Sequence, residues 1–580
     1  MNPGTPTDGA LNARRQLGWL LLAALLVLGA GLGLRDPWPA DEPRFALVAQ
    51  QMVASGDWLF PHRGSELYSD KPPLLMWLQA ALLALTGELR IAFLLPSLLA
   101  GLATLTLVWD LGRRLFSPRA GLLAAIGVLS ALMFTYQFKR AQIDPLITAL
   151  ITLANWGLLR HLLLGPDWRA FWLGCFAAGL GVITKGVGVI ALLMLLPYAL
   201  LLRRGWQGLA APGPGRGWHW AGGALAFLGA VALWLVPMVS MALTSGSAEH
   251  RSYMMDILFN QTARRYAGQV GGHQQPFWYF VPVVLLHFFP LSLAYFSGWA
   301  DARAAWARRD GRVMLLLGWC ALVFVFFSLA GGKREVYLLP MLPMLALALG
   351  PTLVRIADAP WLNRSALAAT VLLGLLIGGY GAALASGRLA GAARSLAERG
   401  LAEEAPALAK LALLAGALFL LAAAVFRARR GTWALLGGLA GLWLVWGLGV
   451  GPVANAEASA AGAMRRADQL AGPQGEIGLV GWREQHRLMS VRPPKDFGFS
   501  RSFAEQFDSA AAWLREAPDR RWLFARQAAV AACVDPAKVV PMGATNRLQW
   551  WMLQADALKP GCRIPAAGAS ATPAEPDSTD

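Results

Sequence analysis

Two acids, Asp41 and Glu42, and a lysine, Lys71, stand at the ends of a polar segment that reads DEPRFALVAQQMVASGDWLFPHRGSELYSDK. The segment lies between apolar runs in a chain with few charges. Carboxylates can act as general bases or orient a nucleophile, and a lysine can neutralise a phosphate group. The residue types in this segment therefore indicate chemistry on a molecule that carries a phosphate.

Further ionisable residues occur in short motifs between later apolar runs. The motifs are QIDP with Asp144, ITKG with Lys185, NQTARRY with Arg264 and Arg265, and GGKREVY with Lys333, Arg334, Glu335 and Tyr337. Placing a charged side chain in or next to the hydrocarbon of a membrane costs free energy. Charged residues that do not belong to the basic clusters that orient the chain therefore indicate function. All of these motifs fall on one side of the predicted spans. Together they predict one site for group transfer from a donor whose phosphate is carried on a lipid.

Each member of this set also has a purely structural interpretation. Asp144 before Pro145, and the acids at 41–42 before Pro43, could begin helices as caps. Lys71 and Lys185 could simply reach to lipid headgroups. The aromatic run PFWYF could form an interfacial belt. These interpretations do not explain why acids and bases gather in one layer, which favours the functional one.

The composition is that of a polytopic membrane protein. Of 580 residues, 56% are hydrophobic and 15% are charged, and the mean hydropathy is +0.47, so one soluble core could not bury the apolar surface. The net charge of +17 comes from short basic clusters between apolar runs, which is typical of membrane orientation and not of nucleic-acid binding. Among four cysteines, only Cys533 and Cys562 could pair, and only in an oxidising compartment.

A membrane span needs about 20 apolar residues, and thirteen runs are candidates. They are approximately 17–34, 91–112, 119–136, 145–164, 169–184, 186–202, 220–242, 277–299, 313–330, 336–354, 365–386, 408–426 and 432–451. The first lacks a small-residue cleavage site, so we expect it to be retained. Arginine clusters before the first span and after the second, sixth, eighth and twelfth predict a cytoplasmic N-terminus. The region after residue 451 is then outside.

Two helices are predicted in the first outer loop, residues 35–90. One runs from Pro43 to Ser55 and stops at Gly56, and its apolar face should lie flat on the membrane. The other, Leu74 to Thr86, is too short to cross. The expected domains are a transmembrane catalytic part over 1–451, a small outward α/β domain over 452–565 and a disordered tail over 566–580. Strands are expected at 477–482, 522–526 and 537–542, and a helix at 502–516.

The first-loop segment resembles the signature of the polyprenyl-phosphate-dependent GT-C glycosyltransferases, in the aminoarabinose transferase and protein O-mannosyltransferase families (glycosyltransferase 39/83-like). The resemblance continues through QIDP, ITKG, QTARRY with PFWYF, and GGKREVYLLPMLP, over roughly residues 15–350. It implies an all-α bundle of about thirteen spans with an outward C-terminal domain. It also implies an inverting transfer from a polyprenyl-phosphate-linked sugar on the periplasmic side of a bacterial inner membrane.

The resemblance assigns roles to residues that match the motifs. It implies catalytic roles for Asp41, Glu42 and Asp144, donor-phosphate binding by Lys71, Arg265, Arg264, Tyr337 and Lys185, and support of the cavity by Arg44, Tyr68, Asp70 and Lys333. Asp70 stands where the aminoarabinose transferases usually have Glu. Gln261 and Thr262 replace a Glu-His pair of those enzymes, so the sequence implies no obligatory cofactor and, while leaving a divalent metal possible, does not support one.

The leading functional prediction is transfer of 4-amino-4-deoxy-L-arabinose from undecaprenyl phosphate to lipid A. A protein hydroxyl, as in O-mannosylation, or another envelope glycan is the alternative acceptor. A lipid-linked sugar transporter or flippase is the alternative of another class, and it would show ionisable residues at the midplane and symmetry between halves. The expected partners are the lipid-linked donor, the envelope acceptor and membrane lipids, without nucleic acid.

Overall fold

The computed structural model describes residues 6–211, 217–260 and 274–564, with side chains for all of these except 6–12 and 260. Helices dominate as far as residue 471. In the first half they are Pro6–Gly29, Glu42–Ser55, Leu74–Thr86, Leu89–Ala92, Leu95–Leu115, Pro118–Ser130, Leu132–Phe138, Ile143–Leu164, Trp168–Lys185, Val187–Met194, Leu195–Arg203, Gly217–Thr244, Ala248–Met255 and Asp256–Asn260.

The helices of the second half are shorter on average and several are broken. They are Phe280–Leu286, Leu291–Ala294, Tyr295–Ala307, Gly311–Leu329, Glu335–Leu338, Met341–Ala348, Gly350–Ile356, Pro360–Ala385, Ala390–Glu398, Ala405–Phe426, Ala428–Arg430, Gly431–Val445, Trp446–Val450, Gly451–Ala458 and Ala461–Ala471.

Within the described ranges, seven helical stretches are long and apolar enough to cross a membrane, or up to nine if each of two bent pairs is one span. The seven coincide with predicted spans. The bent pairs replace the predicted spans 119–136 and 277–299, and the stretch predicted at 186–202 is one of the shorter apolar helices. The chain is therefore a helical, multi-pass membrane protein, and the count of thirteen stays a prediction.

The two bends lie against each other. One helix pair turns by 67° at Ala131, and the other by 96° before Leu291. The amide of Leu132 donates to the carbonyl of Phe289 (3.0 Å), and the amide of Met133 donates to the carbonyl of His287 (2.9 Å). Backbone groups freed at a bend must find partners inside a bilayer. Each bend supplies those partners to the other.

A helical hairpin positions two predicted site residues. Ile143–Leu164 and Trp168–Lys185 run antiparallel and are in close backbone contact at Gly157, where a Cβ would lie 2.2 Å from the carbonyl oxygen of Ala170. Small residues permit such backbone contact between membrane helices. Because the connection is only three residues long, the start of the first helix and the end of the second come together.

The two first-loop helices form as predicted. Glu42–Ser55 has Pro in its first turn and ends at Gly56 with φ 74°, and Leu74–Thr86 ends at Gly87 with φ 69°. Both glycines adopt the left-handed conformation that commonly closes a helix. Between the helices, His62–Arg63 and Glu66–Leu67 form a short antiparallel hairpin.

One expectation for the first loop is wrong. The apolar face of Glu42–Ser55 does not lie on lipid, because its members are buried against the second loop helix and the start of Ile143–Leu164. The residues of this face are Phe45, Val48, Ala49 and Met52, with Leu75, Met76, Ile143 and Leu146 against them. A stripe of apolar residues predicts burial, but it does not distinguish protein from lipid as the partner.

A five-stranded sheet follows the helical part. Its strand order is Lys495–Asp496, Glu476–Val480, Arg521–Arg526, Leu548–Leu553 and Val540–Thr545, the first three being parallel and the last two antiparallel to their neighbours. The other elements of this unit are Glu484–Leu488, Phe503–Glu516, Gln527–Val530, Ala531–Cys533, Pro536–Lys538 and Ala555–Ala557. A capping box between Ser502 and Glu505 begins the longest helix. Cys533 and Cys562 form a disulfide with their Cα atoms 5.4 Å apart.

Candidate functional site

Asp41 stands at the N-terminus of the first loop helix, but it does not act as a cap. Its side chain makes no capping hydrogen bond. Instead, its carboxylate lies 3.4 Å from Nη1 of Arg44, one turn along the helix. The side chain is 20% exposed, so Asp41 is accessible while most of it is enclosed. The structural interpretation of this acid as a helix cap is therefore excluded by the geometry.

Several positive charges converge on Asp41. Burial alone would raise the pKa of this carboxyl, but the charges around it outweigh burial and hold its pKa below the ordinary value of 3.8. The charges come from four chain segments and belong to Arg44, Arg334, Lys71 and Arg140. Lys71 is thus near enough to Asp41 for its charge to act on the carboxylate. An ionised carboxylate within a group of cations is suited to holding a phosphate-bearing molecule.

Glu42 has a different environment from its neighbour. It is 0% exposed, and both of its oxygens are occupied. Arg35 donates from Nη1 to Oε2 and from Nη2 to Oε1 (2.8 Å), while the amides of Trp38 (2.8 Å) and Ala141 (2.9 Å) donate to one oxygen each. Glu42 therefore ties the first loop to the segment that precedes Asp144.

Asp144 and Lys185 form a direct ion pair at the open end of their hairpin. The side chains are 11% and 17% exposed, respectively. The helix Ile143–Leu164 begins with Gln142 in the cap position, so Asp144 is not its cap. The ammonium group of Lys185 also lies 5.1 Å from the ring centroid of Tyr337. Three residues from three predicted motifs are therefore in contact.

Tyr68 and Asp70 both lie beside Arg63. Asp70 Oδ2 is 3.3 Å from Nη1 of Arg63, and the guanidinium of Arg63 lies 5.3 Å from the ring centroid of Tyr68. Burial is the main reason that the pKa of Tyr68 is raised. Among the described residues its buried hydroxyl has no hydrogen-bond partner. Tyr68 therefore stays protonated.

Lys333, for which a supporting role in the cavity is predicted, is buried and bonded to the backbone. It is 6% exposed, and its Nζ donates to the carbonyl oxygen of Gln275 (2.9 Å). Its neighbour Arg334 is the residue whose charge acts on Asp41. The predicted phosphate ligands Arg264 and Arg265 lie outside the described residues.

Four residues of the cluster were not among the candidates from the sequence. Arg35 and Arg63 pair with acids of the first loop, Arg140 contributes charge near Asp41, and Glu484 pairs with Arg44 from the sheet unit. Arg140 directly precedes AQIDP, which could have indicated it. Glu484 carries no local signal, because its role depends on a contact across 440 residues.

In residues 6–211, 217–260 and 274–564, no three His, Cys, Asp or Glu side chains gather in an arrangement that could hold a metal ion. The cluster is instead a set of ion pairs and cations. Its carboxylates are neutralised by arginine and lysine.

The helical fold and the charge cluster define an integral membrane protein with one ion-rich site at the ends of several helices. A family model described as dolichyl-phosphate-mannose-protein mannosyltransferase matches residues 70–236. This region includes Lys71, Asp144 and Lys185. Because the match covers less than half of the chain, it applies to that region.

Curated relatives align over a longer stretch. The undecaprenyl phosphate-alpha-4-amino-4-deoxy-L-arabinose arabinosyl transferase of Edwardsiella ictaluri is 30% identical over 385 residues, 62% of this chain and 63% of that protein. Its namesake in Pseudomonas aeruginosa (strain UCBPP-PA14) is 32% identical over 356 residues, 59% of this chain and 60% of that protein. The chain thus spans less than two thirds of the length of the curated relatives that it matches.

A solved structure shows the same fold over nearly the whole chain. The crystal structure of ArnT from Cupriavidus metallidurans bound to undecaprenyl phosphate superposes with a TM-score of 0.71 and 21% identity, covering 94% of this chain and 99% of that one. The resemblance to the polyprenyl-phosphate-dependent GT-C glycosyltransferases that the motifs predicted is confirmed by these three comparisons.

Proposed function

We propose that this protein is an inverting glycosyltransferase that moves 4-amino-4-deoxy-L-arabinose from undecaprenyl phosphate to lipid A. The observation that carries the proposal is the enclosed carboxylate of Asp41, which lies 3.4 Å from Arg44 and is also acted on by the charges of Arg334, Lys71 and Arg140. The names of the curated relatives support the sugar and its carrier. Four cations and one ionised acid suit a reaction in which one phosphate leaves and another arrives.

In this reaction the bond between the anomeric carbon and the donor phosphate oxygen breaks, and undecaprenyl phosphate leaves with the electron pair. An acceptor oxygen attacks the opposite face of that carbon and forms the new bond. The leaving phosphate would be neutralised by Lys71, Arg334, Arg264 and Arg265. The hydroxyl of Tyr337 would donate a hydrogen bond to it. The pair of Asp144 and Lys185 would fix the floor of the cavity beside Tyr337.

The low pKa of Asp41 supports a phosphate acceptor. A lipid A phosphate is already deprotonated near neutral pH and needs no general base. A hydroxyl acceptor would need one, and an acid whose pKa is below 3.8 is a weak base. We therefore propose that Asp41 orients the acceptor and balances the positive charges around it. Glu42, whose oxygens are fully occupied, is assigned a positioning role.

A protein hydroxyl is the second candidate acceptor. The observation that favours it is the match of residues 70–236 to the dolichyl-phosphate-mannose-protein mannosyltransferase model. With that acceptor the same donor site would serve, and Asp41 would have to accept a proton. The identity of the glycosylated product, lipid A or protein, therefore distinguishes the two acceptors.

We further propose that the chain lies in the bacterial inner membrane with thirteen spans, a cytoplasmic N-terminus and a periplasmic sheet domain over 452–565. The arginine clusters support this orientation, and the disulfide between Cys533 and Cys562 suits an oxidising compartment. Single cysteines placed near residues 70, 144 and 337 should react with a membrane-impermeant maleimide added from the periplasm. A cysteine at position 358 should not. Labelling of position 70 only from the cytoplasm would contradict the orientation.

The test of function uses membranes that contain the full chain, lipid-linked aminoarabinose and lipid A, with mass spectrometry of the product. Wild-type protein should add the sugar to lipid A, and Asp41→Asn should reduce the rate by about 100-fold or more. Asp358→Asn is the matched control, because that carboxylate is 89% exposed and pairs only with Arg119 among the described residues. Undiminished transfer by Asp41→Asn would refute the assignment of Asp41, and transfer to protein alone would refute the acceptor.

A further inference from the structure

The sheet unit packs directly on the first loop. Ser65 donates to Asp496, and the amide of Ser500 donates to Glu66 (3.0 Å). Gly64 lies so close to the ring of Trp482 that a Cβ there would be 2.9 Å from it. Contacts of this number and closeness hold the hairpin at 62–67 in one position relative to the sheet.

Glu484 lies at the centre of this contact. It is the first residue of the helix Glu484–Leu488, just beyond the strand Glu476–Val480, and it is 2% exposed. Its Oε1 accepts from Nε of Arg44 at 3.0 Å and lies 3.7 Å from Nη1 of Arg63. A carboxylate enclosed in this way must be paired, since an unpaired charge is costly to bury. Both of its cationic partners belong to the first loop.

Each partner of Glu484 also holds an acid of the candidate site. Arg44 reaches Asp41 with Nη1 (3.4 Å), and Arg63 reaches Asp70 with the same atom that faces Glu484 (3.3 Å). Arg63 is further fixed by the ring of Phe499, 3.9 Å from its guanidinium carbon. The guanidinium plane of Arg44 therefore has one edge set by the sheet unit and another edge directed at Asp41.

We infer that Glu484 is a positioning residue of the transfer site: it holds Arg44 against Asp41, so the site is complete only while the sheet unit is docked on the first loop. The expected effect of Glu484 on kcat rests on the proposed function. The expected effect of Glu484 on the order of the first loop rests on the contacts alone. This positioning role gives the sheet unit a part in the reaction that is exerted through Arg44.

The kinetic test compares purified full-length protein with Glu484→Gln, Arg44→Gln and the double variant, using lipid-linked aminoarabinose and lipid A. Glu484→Gln should lower kcat about tenfold, with less change in the KM for the donor. In the Arg44→Gln background the same substitution should change kcat by less than about twofold, because the residue acts through Arg44. Glu516→Gln is the matched control, since that carboxylate lies in the same unit and is 68% exposed.

Two kinetic results would overturn the inference. One is a wild-type kcat in Glu484→Gln, and the other is an equal loss with and without Arg44. Glu484→Asp keeps the charge but shortens its reach, so it should retain the fold and lose only about threefold in kcat. If Glu484→Gln does not fold, wild-type kcat in Glu484→Asp is the overturning result.

Hydrogen exchange provides a measurement that does not depend on the reaction. Glu484→Gln should speed amide exchange at residues 41–45 and 62–70 severalfold, while Glu516→Gln should leave these amides unchanged. If wild-type protein transfers no sugar to lipid A, the proposed function fails, and the exchange rates still decide the inference. Unchanged exchange in Glu484→Gln would then overturn it.

Discussion

Lys185 and Asp144 form an ion pair between the last residue of one helix and the first turn of another. The two residues are 41 positions apart in the chain, and the hairpin between their helices brings them together. Both side chains are largely enclosed. Removing one partner therefore leaves the other as a charge with little access to water.

Substitution of this pair should show strong coupling. Lys185→Met should lower the free energy of unfolding by about 1–3 kcal/mol, because the carboxylate of Asp144 loses its partner while staying mostly buried. The double variant with Asp144→Asn should lose less than the sum of the two single variants. Thermal unfolding of the purified protein in detergent measures all three. Additive losses would show that the two charges do not interact.

The pH dependence of transfer should reflect the low pKa of Asp41. A carboxyl with a lowered pKa is ionised over the whole range from pH 8 to 5, so we expect no loss of rate from Asp41 in that range. Its ionised form stabilises the fold at pH values above its unfolded pKa, and this stabilisation is lost as the pH falls through the folded pKa, below 3.8. In Arg44→Gln one of the stabilising charges is gone, so the acid limb should move to higher pH.

Rates measured at intervals of half a pH unit would show this shift. Arg388→Gln is the control, because Arg388 is exposed in the helical part and is not among the charges acting on Asp41. An acid limb at the same pH in wild-type and Arg44→Gln protein would mean that another group controls the rate.

Glu42 and Asp41 should behave differently when neutralised, although they are adjacent. Burial opposes the ionisation of Glu42, but Arg35 lies against it and holds its pKa below the ordinary value. Glu42→Gln leaves Arg35 buried with one charge unpaired, so it should destabilise the protein by about 3 kcal/mol. Asp41→Asn should lose less stability than Glu42→Gln, because Arg44 keeps Glu484 as a partner, and should fail in transfer.

The yield and thermal stability of the two variants in detergent would separate the roles. Stable but inactive Glu42→Gln protein would assign Glu42 to the reaction itself. A carboxyl whose pKa is lowered on folding stabilises the folded protein only while it is ionised. The difference in free energy of unfolding between wild-type and Glu42→Gln protein should therefore shrink as the pH falls below about 4.

Local features of the fold were predictable because their causes are local. Gly56 ends a helix by its own conformational freedom, and the Ser502–Glu505 capping box needs only four residues. The grouping of Asp144 and Lys185 was predictable from topology, because both stand at the outer ends of predicted spans. The bends at Ala131 and before Leu291 were not, because each is completed by hydrogen bonds to the other.

The separate roles of adjacent acids could not be read from the sequence. Neighbouring positions on a helix point about 100° apart, so Asp41 faces the cations of the site while Glu42 faces Arg35 in the interior. Glu484 was missed for a related reason. Its importance comes from Arg44, which is distant in the chain and meets it only after the sheet unit has docked.

The disulfide between Cys533 and Cys562 predicts a definite count of reactive thiols. The bond closes a loop over a separation of 29 residues, and loops of this size give about 3 kcal/mol of stabilisation. Protein denatured without reductant should expose two thiols, Cys175 and Cys320, and protein denatured with reductant should expose all four. Quantitative maleimide labelling and mass spectrometry give the count.

The same bond links stability to the site. Cys533→Ala with Cys562→Ala should loosen the sheet unit and, through Glu484, slow transfer more than an exposed substitution such as Glu516→Gln. Because disulfides persist in oxidising compartments, two thiols in the unreduced protein would also place this unit on the periplasmic side. Four thiols before reduction, in protein isolated from its native membrane without reductant, would contradict both the bond and that placement.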